Sequence, residues 1–295
     1  MSILVVESGG TKTDWALFDR QNAIKEIQTV GFNPSLTRKA EMIRALDTEI
    51  RPWLGGTKPE ALHFFGAGLG RPIGQIEMRN LLKEHLVLTC PIHVQSDLMG
   101  AAYACLGTEP GVVGILGTGS AAFRYEHQSI FSRRGGWGYL LGDEGAGSDL
   151  GRTLIRRILE KELPEPLCAA YETFSGKDTG DLLSQLYSAE MPVHFLARQV
   201  PFLAEHQHEP SIRQILTERI ELFLKTYLLP MVRSPVEKVV LCGGVARIFS
   251  DLVESLCREH GLINAFILKE SPIRAIVRFL TQPQVPTSER DTLEI

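Results

Sequence analysis

The sequence has no long apolar run, no close pair of cysteines and no excess of basic residues. Its apolar stretches fall short of the roughly 20 residues that a membrane-spanning helix needs. The five cysteines are widely spaced, which argues against a disulfide framework or a structural zinc site and favours a reducing compartment. Lys and Arg number 31 against 35 for Asp and Glu, so a nucleic acid is a poor partner for this mildly acidic chain. We expect a cytoplasmic protein with neither a membrane nor a nucleic-acid partner.

The composition is that of a globular protein large enough for two domains. The chain has 295 residues, of which 44% are hydrophobic and 22% charged. These values exclude a mostly disordered or fibrous chain. Domains average roughly 150 residues, so two are the first expectation.

Residue periodicity predicts short strands throughout and mostly helices in the second half. The predicted strands are 3–7, 13–18, 24–30, 62–65, 92–94, 112–116, 121–125, 239–242 and 265–268. The predicted helices are 43–53, 73–86, 98–106, 150–159, 164–174, 180–188, 193–206, 211–229, 245–256 and 273–280. This α/β pattern includes one apparent restart, since a strand that ends in a Gly/Thr-rich turn occurs at both 4–13 and 112–120.

The restart predicts a duplicated domain plan. Aligning Gly10 with Gly117 gives an offset of 107 residues. The turn at 107–111 then marks the boundary. The first predicted domain is 1–108 and the second is 109–295, with a polar tail at 282–295.

The two glycine turns carry the main chemical signal. In a tight turn, successive backbone N–H groups can point at one spot and bind an anion, most commonly a phosphate. Either turn alone would be explained as an ordinary hairpin, but two at matching positions favour a clamp on one phosphate chain. Glu7, at the end of the first strand, is placed to hold Mg²⁺ through water. The predicted phosphate ligands are Gly9, Gly10, Thr11, Lys12, Thr13, Gly117, Thr118 and Gly119.

Three further segments are candidates for chemistry. Asp97 follows a strand and precedes a helix of small residues, where a catalytic carboxylate and a helix N-cap are equally good interpretations. The glycine-rich block at 135–149 includes Asp143 and Glu144, acceptors suited to a polyol ligand. Gly243 and Gly244 lie between a strand and a helix, where a nucleotide could pass close to the backbone. A dinucleotide fingerprint at 66–70 is disfavoured because Arg71 stands where its third glycine belongs.

Five segments together resemble the N-acetylglucosamine kinase family of the actin-like ATPase and sugar kinase superfamily. They are residues 7–13, 96–97, 117–120, 135–145 and 242–244, in that order. The resemblance spans roughly residues 3–280 and implies two RNase-H-like domains around a central interdomain cleft for ATP. One difference is Ala121, where the family commonly carries Asn.

The resemblance also implies roles for individual residues. Asp97 matches the catalytic base, and Gly243 with Gly244 matches the adenosine motif. Glu7 and Asp97 would hold Mg²⁺ through water. The implied sugar contacts are Asn33, Asp97, Thr118, Gly136, Trp137, Asp143 and Glu144.

The expected function is transfer of the γ-phosphate of ATP to a hydroxyl of N-acetylglucosamine or a close relative, with Mg²⁺. Two alternatives stay open at this point. An ATPase that drives a conformational change in a partner would turn over ATP without stimulation by any sugar. A catalytically silent sensor is favoured by Ala121 but disfavoured by the presence of Asp97, Glu7 and both turns. Self-association as a homodimer also stays open.

Overall fold

Two five-stranded mixed sheets of the same topology form the framework. The structure, a computed structural model, describes residues 2–10, 12–19, 24–176 and 178–282. The predicted ligand Thr11 and all but the first residue of the predicted tail lie outside the described residues. The first sheet contains β1 (Ile3–Ser8), β2 (Lys12–Phe18), β3 (Ile24–Val30), β4 (Ala61–Gly66) and β5 (Ile92–Ser96). The second contains β6 (Gly111–Leu116), β7 (Ser120–Glu126), β8 (Ser129–Gly135), β9 (Val239–Cys242) and β10 (Ala265–Ile267).

The strand orders are β3-β2-β1-β4-β5 and β8-β7-β6-β9-β10. In each sheet the first three strands form an antiparallel meander and the last two add in parallel to the first strand. The predicted α/β class and the repeated plan are therefore confirmed. The central strands β1 and β6 are buried along most of their length, which is why their sequences are nearly continuous apolar runs.

The helices follow the predicted positions, except that the predicted segments 43–53, 193–206 and 245–256 are each divided between two α-helices. The α-helices are α1 (Lys39–Ala45), α2 (Arg51–Leu54), α3 (Pro72–Leu86), α4 (Asp97–Cys105), α5 (Gly147–Leu159), α6 (Glu165–Ser175), α7 (Leu182–Ser188), α8 (Pro192–Ala197), α9 (Val200–Glu205), α10 (Pro210–Phe223), α11 (Gly244–Ile248), α12 (Ser250–Glu259) and α13 (Pro272–Thr281). Pro201 lies in the first turn of α9 and divides the segment 193–206, because proline donates no backbone hydrogen bond and fits only a helix start. No described helix is long and apolar enough to cross a membrane.

Helix α4 contacts both sheets, and helix α13 packs against α4. Ala102 and Leu106 pack with Val113 and Phe123 of the second sheet. Helix α13 instead packs on the first sheet, where Ile276 meets Val5 and its neighbours. The last helix thus returns to the first sheet, which departs from a simple division of the chain at residue 108.

Candidate active site

The first glycine turn is held from below by a buried hydroxyl pair. The Gly9 N–H donates to the Lys12 carbonyl at 3.0 Å and closes the hairpin between β1 and β2. Beneath it, the hydroxyls of Ser8 and Thr13 lie 2.9 Å apart, and the Phe32 N–H donates to both. The Thr13 side chain is fully buried and supports the turn, and its contact with a phosphate stays a prediction. Among the described residues, the Gly10 N–H donates to no protein acceptor, so it is available to an anion.

The segment after β3 packs directly on this turn. A Cβ on Gly31 would lie 2.8 Å from the Gly10 carbonyl oxygen, so only glycine fits there. Asn33 is buried, and its Oδ1 accepts the Ser35 N–H at 3.0 Å. A Cβ on Gly68 would lie 2.5 Å from that Oδ1. Gly68 therefore makes room for Asn33, which accounts for one glycine of the segment that resembled a dinucleotide motif.

Lys12 lies at the surface beside the first turn. Its Nζ is 3.0 Å from the Asp14 carboxylate. An exposed pair of this kind contributes little to stability, since solvent screens it. The Lys12 ammonium is thus free to turn toward an anion at small cost.

Ser120 connects the second glycine turn to the acidic block. The turn is closed by the Gly117 N–H, which donates to the Gly119 carbonyl at 3.0 Å. The Ser120 N–H donates to Asp143 Oδ1 at 3.1 Å, and its hydroxyl donates to the Glu144 carbonyl at 2.8 Å. Its own carbonyl accepts the Gly136 N–H at 2.8 Å. The two segments that sequence analysis treated separately are one structural unit.

The predicted sugar contacts in this unit have different surroundings. Asp143 is 4% exposed, and its burial raises the pKa of the carboxyl. A Cβ on Gly119 would lie 2.9 Å from Asp143 Oδ2, so the carboxylate lies directly against the turn. Glu144 is half-buried, and its Oε2 accepts a hydrogen bond from the Tyr227 hydroxyl. Trp137 is 59% exposed, with the Arg133 guanidinium 5.6 Å from its ring centroid.

A buried ion pair that the sequence did not reveal anchors the acidic block. Asp149 is almost fully buried and pairs with Arg219 at 2.7 Å. The same carboxylate accepts the Gly145 N–H at 2.9 Å. Arg152 pairs with the same carboxylate at 2.7 Å, so two arginines offset the buried charge and hold the end of the block.

The third glycine segment packs against the second turn. Gly243 has a φ of +106°, in the region that favours glycine. A Cβ there would lie 2.3 Å from the Leu116 carbonyl oxygen, at the end of β6. Gly244 begins α11, and a Cβ at that position would face open space. The predicted adenosine motif and the second phosphate turn are therefore neighbours.

Asp97 is the first residue of α4, at the carboxyl end of β5. Ser96 occupies the N-cap position, so the capping interpretation of Asp97 does not hold. Its Oδ1 accepts the N–H of the next residue, Leu98, at 3.0 Å. Burial raises the pKa of Asp97, while the positive charge of Arg133 on β8 acts in the opposite direction. The pKa of Asp97 is thus influenced by a charged side chain of the second sheet.

Glu7 lies close enough to Asp97 for the two charges to interact. Burial and the negative charges of Asp14 and Asp97 raise the pKa of Glu7 to about 7. The positive charge of Lys12 partly offsets them. A divalent cation would relieve this repulsion, and Mg²⁺ prefers such oxygen ligands. Among the described residues, no three His, Cys, Asp or Glu side chains form a chelating group. The two carboxylates therefore fit a cation that keeps most of its own water.

We expect the Glu7→Gln variant to be more stable than the wild type at high pH, in a chelator and without ligand. The pKa of Glu7 is raised from 4.5 to about 7, so between these values the folded state binds more protons than the unfolded state. Wild-type stability then falls as pH rises through this window. The Gln variant lacks this loss, and its advantage should grow to about 1–3 kcal/mol near pH 8. Urea unfolding at several pH values measures the difference.

The matched control is Glu49→Gln, at an exposed position. Its stability relative to the wild type should not change with pH. If Glu7→Gln shows the same flat profile as this control, Glu7 is not desolvated as described.

Comparisons with curated proteins match parts of the chain. No protein-family model matches it. A segment of 164 residues is 27% identical to the N-acetylmuramic acid/N-acetylglucosamine kinase of Clostridium acetobutylicum and covers 54% of this chain and 53% of that protein. A segment of 50 residues is 42% identical to the N-acetyl-D-glucosamine kinase of Dictyostelium discoideum and covers 17% of this chain and 16% of that protein. The chain thus spans about half of the first relative and about a sixth of the second.

Solved structures match nearly the whole chain. A proposed N-acetylglucosamine kinase from Porphyromonas gingivalis is 31% identical with a TM-score of 0.87, over 94% of this chain and 98% of that one. Another proposed N-acetylglucosamine kinase, from Chromobacterium violaceum, is 20% identical with a TM-score of 0.71, over 95% of this chain and 99% of that one. A ROK family glucokinase from Streptomyces griseus, solved with glucose and AMPPNP, shares the fold at 14% identity, with a TM-score of 0.59 over 94% and 98%. On the strength of the first of these matches, the chain belongs to the N-acetylglucosamine kinase family, with its two-domain actin-like ATPase fold.

Proposed function

We propose that the protein is an ATP-dependent kinase that phosphorylates a hydroxyl of N-acetylglucosamine or a closely related amino sugar. The observation that carries the proposal is the position of Asp97. Its carboxylate lies at the end of the first sheet, interacts with the charge of Glu7 beside the first glycine turn, and interacts with Arg133 of the second sheet. Family membership supports the reaction class.

Asp97 is suited to act as the general base. The sugar hydroxyl attacks the γ-phosphorus, the bond from this phosphorus to the bridging oxygen breaks, and ADP leaves. The hydroxyl proton passes to the Asp97 carboxylate. Because burial raises the pKa of Asp97, the carboxylate is a stronger base than an exposed aspartate.

The glycine turns are suited to bind the phosphates. Among the described residues, the N–H groups of Gly10, Thr118 and Gly119 donate to no protein acceptor. Phosphoryl transfer depends mainly on positioning and on electrostatic stabilisation, which such preorganised donors supply. Gly243 and Gly244 would lie close to the adenosine. The AMPPNP bound to the Streptomyces griseus glucokinase is consistent with nucleotide binding by this fold.

Glu7 and Asp97 would hold Mg²⁺ through water. When bound, this ion offsets negative charge on the phosphates. The two carboxylates lie near the end of β1 and at the start of α4, where they would position the cation's water shell.

The sugar would be bound by residues on both sides of the cleft. Asn33 lies beside the first turn, and Glu144 lies beside the second. The buried carboxylate of Asp143, and Gly136 with Trp137 at the start of the block, complete the proposed set. Ala121 provides no side-chain amide where the family commonly has Asn. We therefore choose test sugars beyond N-acetylglucosamine. N-acetylmuramic acid is included because it appears in the name of the Clostridium acetobutylicum relative.

A coupled assay of ADP release with ATP and Mg²⁺ tests the proposal. The sugars are N-acetylglucosamine, glucosamine, N-acetylmuramic acid and glucose. We expect N-acetylglucosamine or N-acetylmuramic acid to stimulate ADP release and to yield a phosphorylated sugar. ATP turnover that no sugar stimulates would favour the partner-coupled ATPase, and no turnover with nucleotide binding intact would favour the silent sensor. Either result would overturn the proposed kinase.

A further inference from the structure

A polar cavity lies outside the set of residues that form the candidate active site. It has a volume of about 360 Å³, which is within the usual range for small-molecule sites. Its lining includes His63, His93, Arg79, Tyr103, Phe279 and Gln128, and we call it the histidine cavity. Tyr103 is six residues beyond Asp97 on α4, or about 9 Å along the helix. The cavity is separate from the glycine turns, since no described residue of either turn lines it.

Two histidines from neighbouring strands form its base. His63 of β4 and His93 of β5 are register partners, and their rings stack with centroids 4.8 Å apart. Burial and the neighbouring His93 lower the pKa of His63 to about 4. The His63 ring is therefore neutral near pH 7, where it has one N–H to donate. The pair presents hydrogen-bonding groups on a partly desolvated surface.

Arg79 supplies an uncompensated positive charge at the cavity. Its Nε donates to the Ile92 carbonyl at 3.1 Å, which fixes the guanidinium beside β5. Within the described part of the chain, no carboxylate pairs with Arg79 and no Asp or Glu lines the cavity. The remaining N–H groups of the guanidinium are a fork that matches phosphate or carboxylate oxygens.

Another part of the lining is aromatic, and the turn between β7 and β8 of the second sheet also contributes to it. The rings of Tyr103 and Phe279 pack with centroids 4.7 Å apart. Gln128, at the turn between β7 and β8, has a φ of +55°. The preceding residue, His127, has a φ of +50°, and two successive positive φ values are typical of a tight hairpin turn. The cavity thus combines the cationic Arg79 with two aromatic rings.

We propose that the histidine cavity binds a small phosphomonoester, with the phosphate at Arg79 and the histidines and the organic part against Tyr103 and Phe279. Gln95 also lines the cavity. Donors from Arg79, His63, His93 and Gln95 outnumber the acceptors of a carboxylate and match the three terminal oxygens of a phosphate. Phosphorylated sugars belong to this class. Binding at this site does not depend on the proposed kinase activity.

The test uses ¹H–¹³C NMR of the histidine rings, since it reports on the cavity even if the cleft also binds the probe. His63→Gln and His93→Gln assign the two ring signals. N-acetylglucosamine 6-phosphate is titrated into the full chain, with N-acetylglucosamine and inorganic phosphate as separate probes. We expect saturable shifts of both rings with the phosphorylated sugar, weaker binding of inorganic phosphate, and no shift with the unphosphorylated sugar.

Arg79→Gln should weaken binding about tenfold, the effect of losing one charge-assisted hydrogen bond. Arg79→Lys, which keeps the charge without the fork, should bind with intermediate affinity. Arg156→Gln, at an exposed arginine on α5, should bind as the wild type does. The proposal is overturned if the phosphorylated sugar does not shift the two rings, or if all three variants bind it equally.

Discussion

Replacing Asp97 by Asn should lower kcat by a factor of about 10²–10⁴, the usual contribution of a general base. The amide has nearly the same shape and can still accept the Leu98 N–H, but it cannot take the proton of the sugar hydroxyl. Because burial disfavours the charged form of Asp97, the neutral variant should have an equal or higher Tm. Steady-state kinetics and thermal unfolding measure the two effects.

The control is Asp251→Asn, another aspartate in the first turn of a helix, on α12. It should keep the wild-type kcat, since Asp251 is exposed and is not among the proposed ligands. A wild-type kcat for Asp97→Asn would show that this carboxylate does not accept the proton. A large fall in Tm would show that it has a structural role instead.

Replacing Gly243 by Ala should destabilise the protein by about 3–5 kcal/mol, a large effect for one methyl group. The new Cβ would lie 2.3 Å from the Leu116 carbonyl oxygen, in a backbone with a φ of +106°. Relief of this overlap would move the end of β6 and the second turn with it. We therefore also expect the folded Gly243→Ala variant to bind a fluorescent ATP analogue more weakly than the wild type does.

The adjacent Gly244→Ala is a matched control. A Cβ at that position meets nothing within 4 Å, and Ala is favoured over Gly in a helix. Its free energy of unfolding should stay within about 1 kcal/mol of the wild type. Equal stability of the two variants, measured by urea unfolding, would contradict the described packing of Gly243.

The sequence predicted the two sheets well because their central strands are apolar runs. It did not predict β8, whose residues 129–135 are mostly polar. This strand lies at the edge of the second sheet and pairs only with β7 among the described strands. Edge strands with an exposed face have little hydrophobic signal, so their existence depends on pairing that a single sequence does not display.

In the candidate site, local motifs were predictable and their supports were not. The glycine turns are recognisable because each lies at the end of an apolar strand, and Asp97 is recognisable because it stands between a short strand and a helix of small residues. The hydrogen bond from Tyr227 to Glu144 and the ion pair of Arg219 with Asp149 join residues 83 and 70 positions apart. Nothing in their local sequence marks these partners, since long-range packing alone brings them together. Ser120 was visible in its motif, but its three contacts to the acidic block were not.

The shared binding of one nucleotide by both glycine turns is tested most directly by amide NMR during a titration with AMPPNP and Mg²⁺. The backbone N–H signals of Gly10, Thr118 and Gly119 are the probes, because among the described residues they donate to no protein acceptor. We expect signals from both turns to shift along one binding curve with a single Kd. A response confined to one turn, or two different Kd values, would show that the turns do not hold the same phosphate chain.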